Sequence, residues 1–180
     1  HLFWMIQDNN VGIQLIYSNA EQKQENQIKA IRSFIVYQVD VIVFVPIVQD
    51  GWDNVLREAK EANIPVIVID RNIITSDENL YTGYIGTNFE EEGRNAARFL
   101  LQKFAGISKN FNILEISGTE NSSAAVGRYN GFREVINTDN RFKIIHSQNG
   151  DFLRSKGKEI LDNIILQNKC FSAIIFHIID

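Results

Sequence analysis

Short runs of almost uninterrupted apolar residues recur along the chain, each followed by an amphipathic stretch. VDVIVFVP (39–46), PVIVID (65–70) and FNILEIS (111–117) are the clearest. A strand with one wet face alternates apolar and polar residues; these runs do not alternate. They are too apolar to face water on either side, so they predict a parallel sheet with helices on both faces. The intervening segments carry helical spacing. Ile28, Ile31 and Ile35 recur within 21–38, and Trp52, Val55, Leu56 and Ala59 share a face within 50–63. Phe89, Gly93, Ala97, Leu100 and Phe104 form a stripe in FEEEGRNAARFLLQKF, with three acids in the first turn, where the helix dipole favours them. Further helices are expected at 122–137 and 153–167. VGIQLIYS (11–18), LYTGYIGTN (80–88), FKIIHS (142–147) and FSAIIFHI (171–178) complete seven expected strands. The β–α rhythm is the same on both sides of Gly86–Asn88, and a domain crossover is placed there, dividing the chain into 1–87 and 88–180. HLFWMIQDNN (1–10) reads as the tail of a helix.

Composition removes several function classes. The 180 residues are 44% hydrophobic and carry a net charge of -4, which suits a folded core and provides no basic patch for nucleic acid. The longest apolar run, 39–48, is broken by Asp40 and Pro46 and is too short to span a membrane. One cysteine, Cys170, excludes an internal disulfide, and it is expected as a buried small hydrophobe. His1, His146 and His177 are far apart and have no metal-ligand spacing. No metal, no cofactor and no catalytic residue set is expected. Neither a nucleophile–base pair nor a G-x-S-x-G elbow can be placed.

In open parallel sheets, ligands bind beyond the carboxyl ends of the strands. Those ends carry Ser18 and Asn19; PIVQDGW; Asp70, Arg71 and Asn72; Thr87 and Asn88; SGTENSSAAVGR; Gln148, Asn149, Asp151 and Phe152; and His177 and Asp180. Amides, carboxylates and guanidinia with an occasional aromatic suit a polyhydroxylated ligand, because planar charged groups bond pairs of hydroxyls. Position alone leaves alternatives open. Asp70-Arg71 reads equally as a structural ion pair or turn. Arg128 reads as a solvated helix residue, Phe152 as core, and Trp52 as core packing or a helix-end staple. SGTENSSAAVG has neither a Walker lysine nor dinucleotide-binding glycine spacing.

Longer stretches carry a resemblance. QKQENQIKAIRSFI (22–35), VDVIVFVPIVQDGWDNVLREAKEANIPVIVIDR (39–71), GTENSSAAVGRYNGF (118–132) and SQNGDFLRSKGKEI (147–160) are similar to bacterial periplasmic sugar-binding proteins of ABC importers. They resemble most the galactofuranose-binding branch of the ribose-binding-like family. The resemblance implies an α/β protein of two Rossmann-like lobes, the type 1 periplasmic binding protein fold, here truncated at both ends. It implies closure on one monosaccharide, delivery to an ABC permease, a periplasmic or extracellular bacterial location, and a monomer. Asp70 and Arg71 match the pair that grips ring hydroxyls from the first lobe. Thr87 falls at the hinge, and Thr119 borders the ligand. Arg128 matches the second-lobe arginine, and Phe152 the aromatic that stacks on the ring. Two positions depart from the pattern: Val45 stands where relatives often have Ser or Asn, and Ile178 where an Asn bonds the sugar. The same fold also serves as the extracellular sensor of histidine kinases and as the effector-binding core of lactose-repressor-like regulators. Flanking sequence separates these from a transport component.

Overall fold

The computed structural model describes residues 12–167 and 170–177. Eleven principal elements follow in chain order: α1 Gln24–Val36, β1 Ile42–Phe44, α2 Asp53–Glu61, β2 Val66–Asp70, β3 Gly83–Gly86, α3 Phe89–Lys103, β4 Phe111–Ser117, α4 Ser123–Ile136, β5 Phe142–Asn149, α5 Arg154–Leu166 and β6 Ala173–Phe176. A short 3-10 turn, Glu78–Leu80, precedes β3. The strands form two parallel three-stranded sheets, ordered β1-β2-β3 and β5-β4-β6. No helix among the described residues is long and apolar enough to cross a membrane.

Local chemistry sets the boundaries of these elements. Asn88 caps α3 by accepting a hydrogen bond from the Glu91 N–H at 3.0 Å, and Ser122 caps α4 through the Ala125 N–H at 3.2 Å. Trp52 precedes α2 and is fully buried, its indole N–H donating to the Val48 carbonyl at 2.9 Å. It is a core anchor, since a buried indole needs one acceptor for its single polar group. Left-handed Gln38 (φ 53°) and Asn63 (φ 58°) turn the chain after α1 and α2.

Each sheet has its own core. α1 and α2 press Ile31, Trp52, Val55, Leu56 and Ala59 onto Ile42, Phe44, Val66 and Val68 of the first sheet. The second sheet is covered on both sides. Ala97, Leu100, Phe132 and Ile136 of α3 and α4 meet Phe111, Ile113 and Phe142, while Ile160 and Ile164 of α5 meet Leu114 and Ile116.

α3 and α4 approach closely because Gly93, Gly127 and Gly131 line their contact. A Cβ on Gly131 would stand 1.9 Å from the Glu90 carbonyl oxygen, and one on Gly93 would stand 2.4 Å from that of Arg128. The Phe89–Lys103 helix therefore belongs with the second sheet.

Three expectations are corrected. Residues 13–19 form no strand; Ile13, Leu15, Ile16 and Tyr17 are exposed, and among the described residues β1 pairs with β2 alone. An extended run becomes a strand only when it joins a neighbour in a ladder, and residues 13–19 belong to neither sheet among the described residues. Among the described residues, α1 and α2 cover one face of the first sheet, and Val43 of β1 and Ile85 of β3 are exposed. Cys170 is exposed. The expected N-terminal helix tail and positions Ile178 and Asp180 lie outside the described residues.

Candidate functional site

β2 ends in the Asp70-Arg71 pair. Asp70 is left-handed (φ 64°), and the Tyr84 hydroxyl donates to its carbonyl at 2.8 Å, so the strand tip is held against β3. A non-glycine residue in that region is uncommon and is often found at functional turns. The Asp70 carboxylate is half exposed, 4.0 Å from the Arg71 guanidinium, so the pair is a loose contact rather than a closed ion pair. Arg71 turns instead to the ring of Phe152, its guanidinium carbon 4.7 Å from the centroid. Burial pulls the Arg71 pKa below the ordinary guanidinium value; Asp70 opposes the shift and the positive charge of Arg128 adds to it.

Phe152 is also left-handed (φ 58°), directly after left-handed Asp151 (φ 52°). Its ring lies on Gly118, where a Cβ would come within 1.9 Å of it, so only glycine leaves that place open. Thr119 follows in the same loop with its hydroxyl buried and without a hydrogen-bond partner.

Arg128 projects from α4 and is 7% exposed. Its Nε donates to Glu92 at 2.8 Å, its Nη1 donates to the His177 carbonyl at 3.3 Å, and its guanidinium lies 4.8 Å over the Phe89 ring. Nη2 is 2.8 Å from the same Glu92 oxygen but has no hydrogen-bonded acceptor. Buried side-chain polar atoms without hydrogen-bond partners are rare in folded proteins, and among the described residues these are Thr119 Oγ1, Arg128 Nη2 and His177 Nδ1. Thr87 donates its hydroxyl proton to Glu92 at 2.9 Å.

Direct hydrogen bonds join the loops of the two sheets. The Asn72 N–H donates to Ser123 Oγ at 2.7 Å, the Gln49 N–H donates to the Asn121 carbonyl at 2.9 Å, and the Asn121 side chain donates to Asp50 at 3.1 Å.

Arg71 and Phe152 are therefore in contact, Asp70 and Thr119 flank them, and Arg128 with Thr87 forms a second group around Glu92. Sequence reading missed Glu92 and Glu115 and placed His177 only among the polar groups at the strand ends. A signal existed for Glu115, a lone carboxylate inside the apolar run FNILEIS. Glu92 was masked by its place among dipole-matched acids. The Val45 side chain is exposed, and its carbonyl accepts from Gln27 at 2.5 Å. Among the described residues, no group of His, Cys, Asp or Glu could hold a metal ion.

Two parallel α/β units meet through the loops beyond their strand ends, with guanidinia and an aromatic ring collected where open parallel sheets hold ligands. The chain belongs to the periplasmic binding protein family, whose domain profile matches residues 7–176. It is 44% identical over 154 residues to the galactofuranose-binding protein YtfQ of Escherichia coli (strain K12), a match covering 86% of this chain and 48% of that protein. It superposes with TM-score 0.90 and 39% identity on a Mycobacterium smegmatis protein in complex with β-D-fucofuranose, over 96% of this chain and 57% of that one. A third relative is the periplasmic binding component of the arabinose ABC transporter of Shewanella sp. ANA-3, bound to α- and β-L-arabinofuranose. There the TM-score is 0.87 and the identity 42%, over 96% and 57% of the two chains. The architecture is the type 1 periplasmic binding protein fold. The chain spans about half the length of these relatives.

Proposed function

We propose that the protein binds a monosaccharide, with preference for a furanose ring, between two lobes comprising residues 1–87 and 88–180, and presents it to an ABC importer at the bacterial cell surface or in the periplasm. Asp70 and Arg71 grip ring hydroxyls from the first lobe. Arg128 bonds the ligand from the second lobe, Phe152 stacks on the ring, and Thr87 and Thr119 add hydroxyl contacts. The single observation that carries this reading is the buried Arg128 near the Arg71–Phe152 stack, whose Nη2 has an ion-pair contact to Glu92 at 2.8 Å but no hydrogen-bonded acceptor. A sugar hydroxyl or ring oxygen supplies the missing acceptor, and an apolar sugar face replaces the guanidinium on the Phe152 ring. The relatives' named ligands, galactofuranose, fucofuranose and arabinofuranose, support the furanose preference. Ligand bridging the lobes favours the closed state and shifts the population toward it, and the permease reads that shape.

The test is a thermal-shift screen of the full-length protein against pentoses and hexoses in pyranose and furanose forms. Stabilisation by one furanose at micromolar concentration, abolished in a folded Asp70→Ala variant, is the expected result. A flat response across the panel refutes the reading.

A further inference from the structure

Three acids open α3, and the helix dipole accounts for their presence there. Two of them act within their own helix: Glu90 and Glu91 pair with Arg94 at 3.1 and 3.2 Å. Glu92 behaves differently. One of its oxygens accepts from Arg128 Nε across the α3–α4 contact at 2.8 Å, and the other accepts from the Thr87 hydroxyl at 2.9 Å. A single carboxylate thus holds two residues from different parts of the chain, one before α3 and one on α4.

We propose that Glu92 is a positioning residue for ligand binding, orienting Arg128 and Thr87 without touching the ligand. This rests on the sugar-site reading above. A guanidinium is a flat fork whose donors are useful only when the plane is fixed. At Arg128 the plane is fixed at Nε by Glu92 and at Nη1 by the His177 carbonyl, with the Phe89 ring below it. The bond to His177 is long, at 3.3 Å, which makes Glu92 the stronger restraint. Nη2, 2.8 Å from the same Glu92 oxygen in an ion-pair contact, is the donor left over, buried and with no hydrogen-bonded acceptor. Thr87 is set by the same carboxylate: by giving its proton to Glu92, the hydroxyl keeps its lone pairs free for a donor on the ligand. The tight α3–α4 packing at Gly93, where a Cβ would meet the Arg128 carbonyl at 2.4 Å, keeps Glu92 and Arg128 at this separation.

The experiment compares wild type with Glu92→Gln in the full-length protein. L-Arabinose and D-galactose serve as probes, since their solutions contain the furanose forms at equilibrium. Glutamine keeps the size of the side chain but loses the charge that holds the guanidinium, and with its one acceptor oxygen on Arg128 it offers Thr87 an N–H donor, which reverses that hydrogen bond and occupies a hydroxyl lone pair. Dissociation constants are measured by calorimetry, the sugar-free melting temperature by scanning, and the Arg128 Nε–H resonance by NMR. The expected result has three parts. Affinity weakens roughly tenfold or more. The resonance moves toward that of free arginine. The sugar-free melting temperature stays within about 3 °C. Wild-type binding with unchanged affinity in Glu92→Gln overturns the inference and leaves the sugar site standing. An affinity loss that tracks a fallen melting temperature, with the Arg128 resonance unmoved, assigns Glu92 a structural role and also overturns it. A wild type that binds neither probe removes the sugar-site reading, and the inference falls with it.

Discussion

Glu115 is the most constrained residue of the second sheet. It sits fully buried in β4 and accepts both prongs of Arg133 at 2.6 and 2.7 Å and the Ser147 hydroxyl at 2.6 Å, with His177 Nε2 at 3.4 Å. Burial by itself raises a carboxyl pKa; here the hydrogen bonds from Arg133, His177 and Ser147 outweigh it and hold Glu115 well below the usual carboxylate range. The sign follows from that direction. A folded-state pKa below the unfolded value of about 4.3 contributes stability that is complete above the unfolded value and lost as pH falls toward the folded one. Acid unfolding from about pH 5 downward is therefore expected to be shallower in Glu115→Gln than in wild type. The same substitution leaves Arg133 without its counterion and is expected to cost about 3 kcal/mol at neutral pH, read from urea unfolding. A lone carboxylate in an apolar run is visible in a sequence. Its partner Arg133, 18 residues further on, is not. The same limit hid Glu92, whereas Asp70, Arg71, Arg128 and Phe152 stood out because whole motifs around them matched a family pattern.

At the scale of elements, the helix contact between α3 and α4 depends on residues without side chains. Gly131 lies inside α4, where alanine would gain about 1 kcal/mol of helix propensity. The contact reverses that preference, since a Cβ would stand 1.9 Å from the Glu90 carbonyl oxygen, and backbone cannot move aside as a side-chain tip can. Gly131→Ala is expected to destabilise by roughly 2 kcal/mol through overpacking, measured by thermal or urea unfolding. It should also weaken sugar binding, because the helices would separate where Arg128 crosses to Glu92. The elements themselves were legible from their periodicity. The five helices expected within the described residues and six of the seven expected strands form within a few residues of the expected places. The exception, at 11–18, shows that hydrophobic pattern reports a capacity to pair; the pairing also needs a neighbouring strand.

For the whole molecule, the hydrogen bonds among Gln49, Asp50, Asn72, Asn121 and Ser123 join the two units beside the site, outside the residues assigned to ligand. In the proposed closure on a ligand, such bonds bias the population of the closed form without changing what the ligand touches. Asp50→Ala, which removes the acceptor of the Asn121 side chain, is expected to weaken affinity for every bound sugar by a similar factor of roughly 2 to 10. Calorimetry across several sugars checks this, and a changed order of preference would place Asp50 in ligand recognition instead. The sequence by itself determined the α/β alternation, the parallel strands and the residues at the strand ends, because these follow from local periodicity and from motifs contiguous in the chain. Only the tertiary structure decided that Arg71 lies on Phe152, that Glu92 joins Thr87 to Arg128, and that Arg128 Nη2 lacks an acceptor. Those facts depend on side chains up to about eighty positions apart meeting at set distances and angles, and neither hydrophobic period nor charge pattern encodes such a meeting.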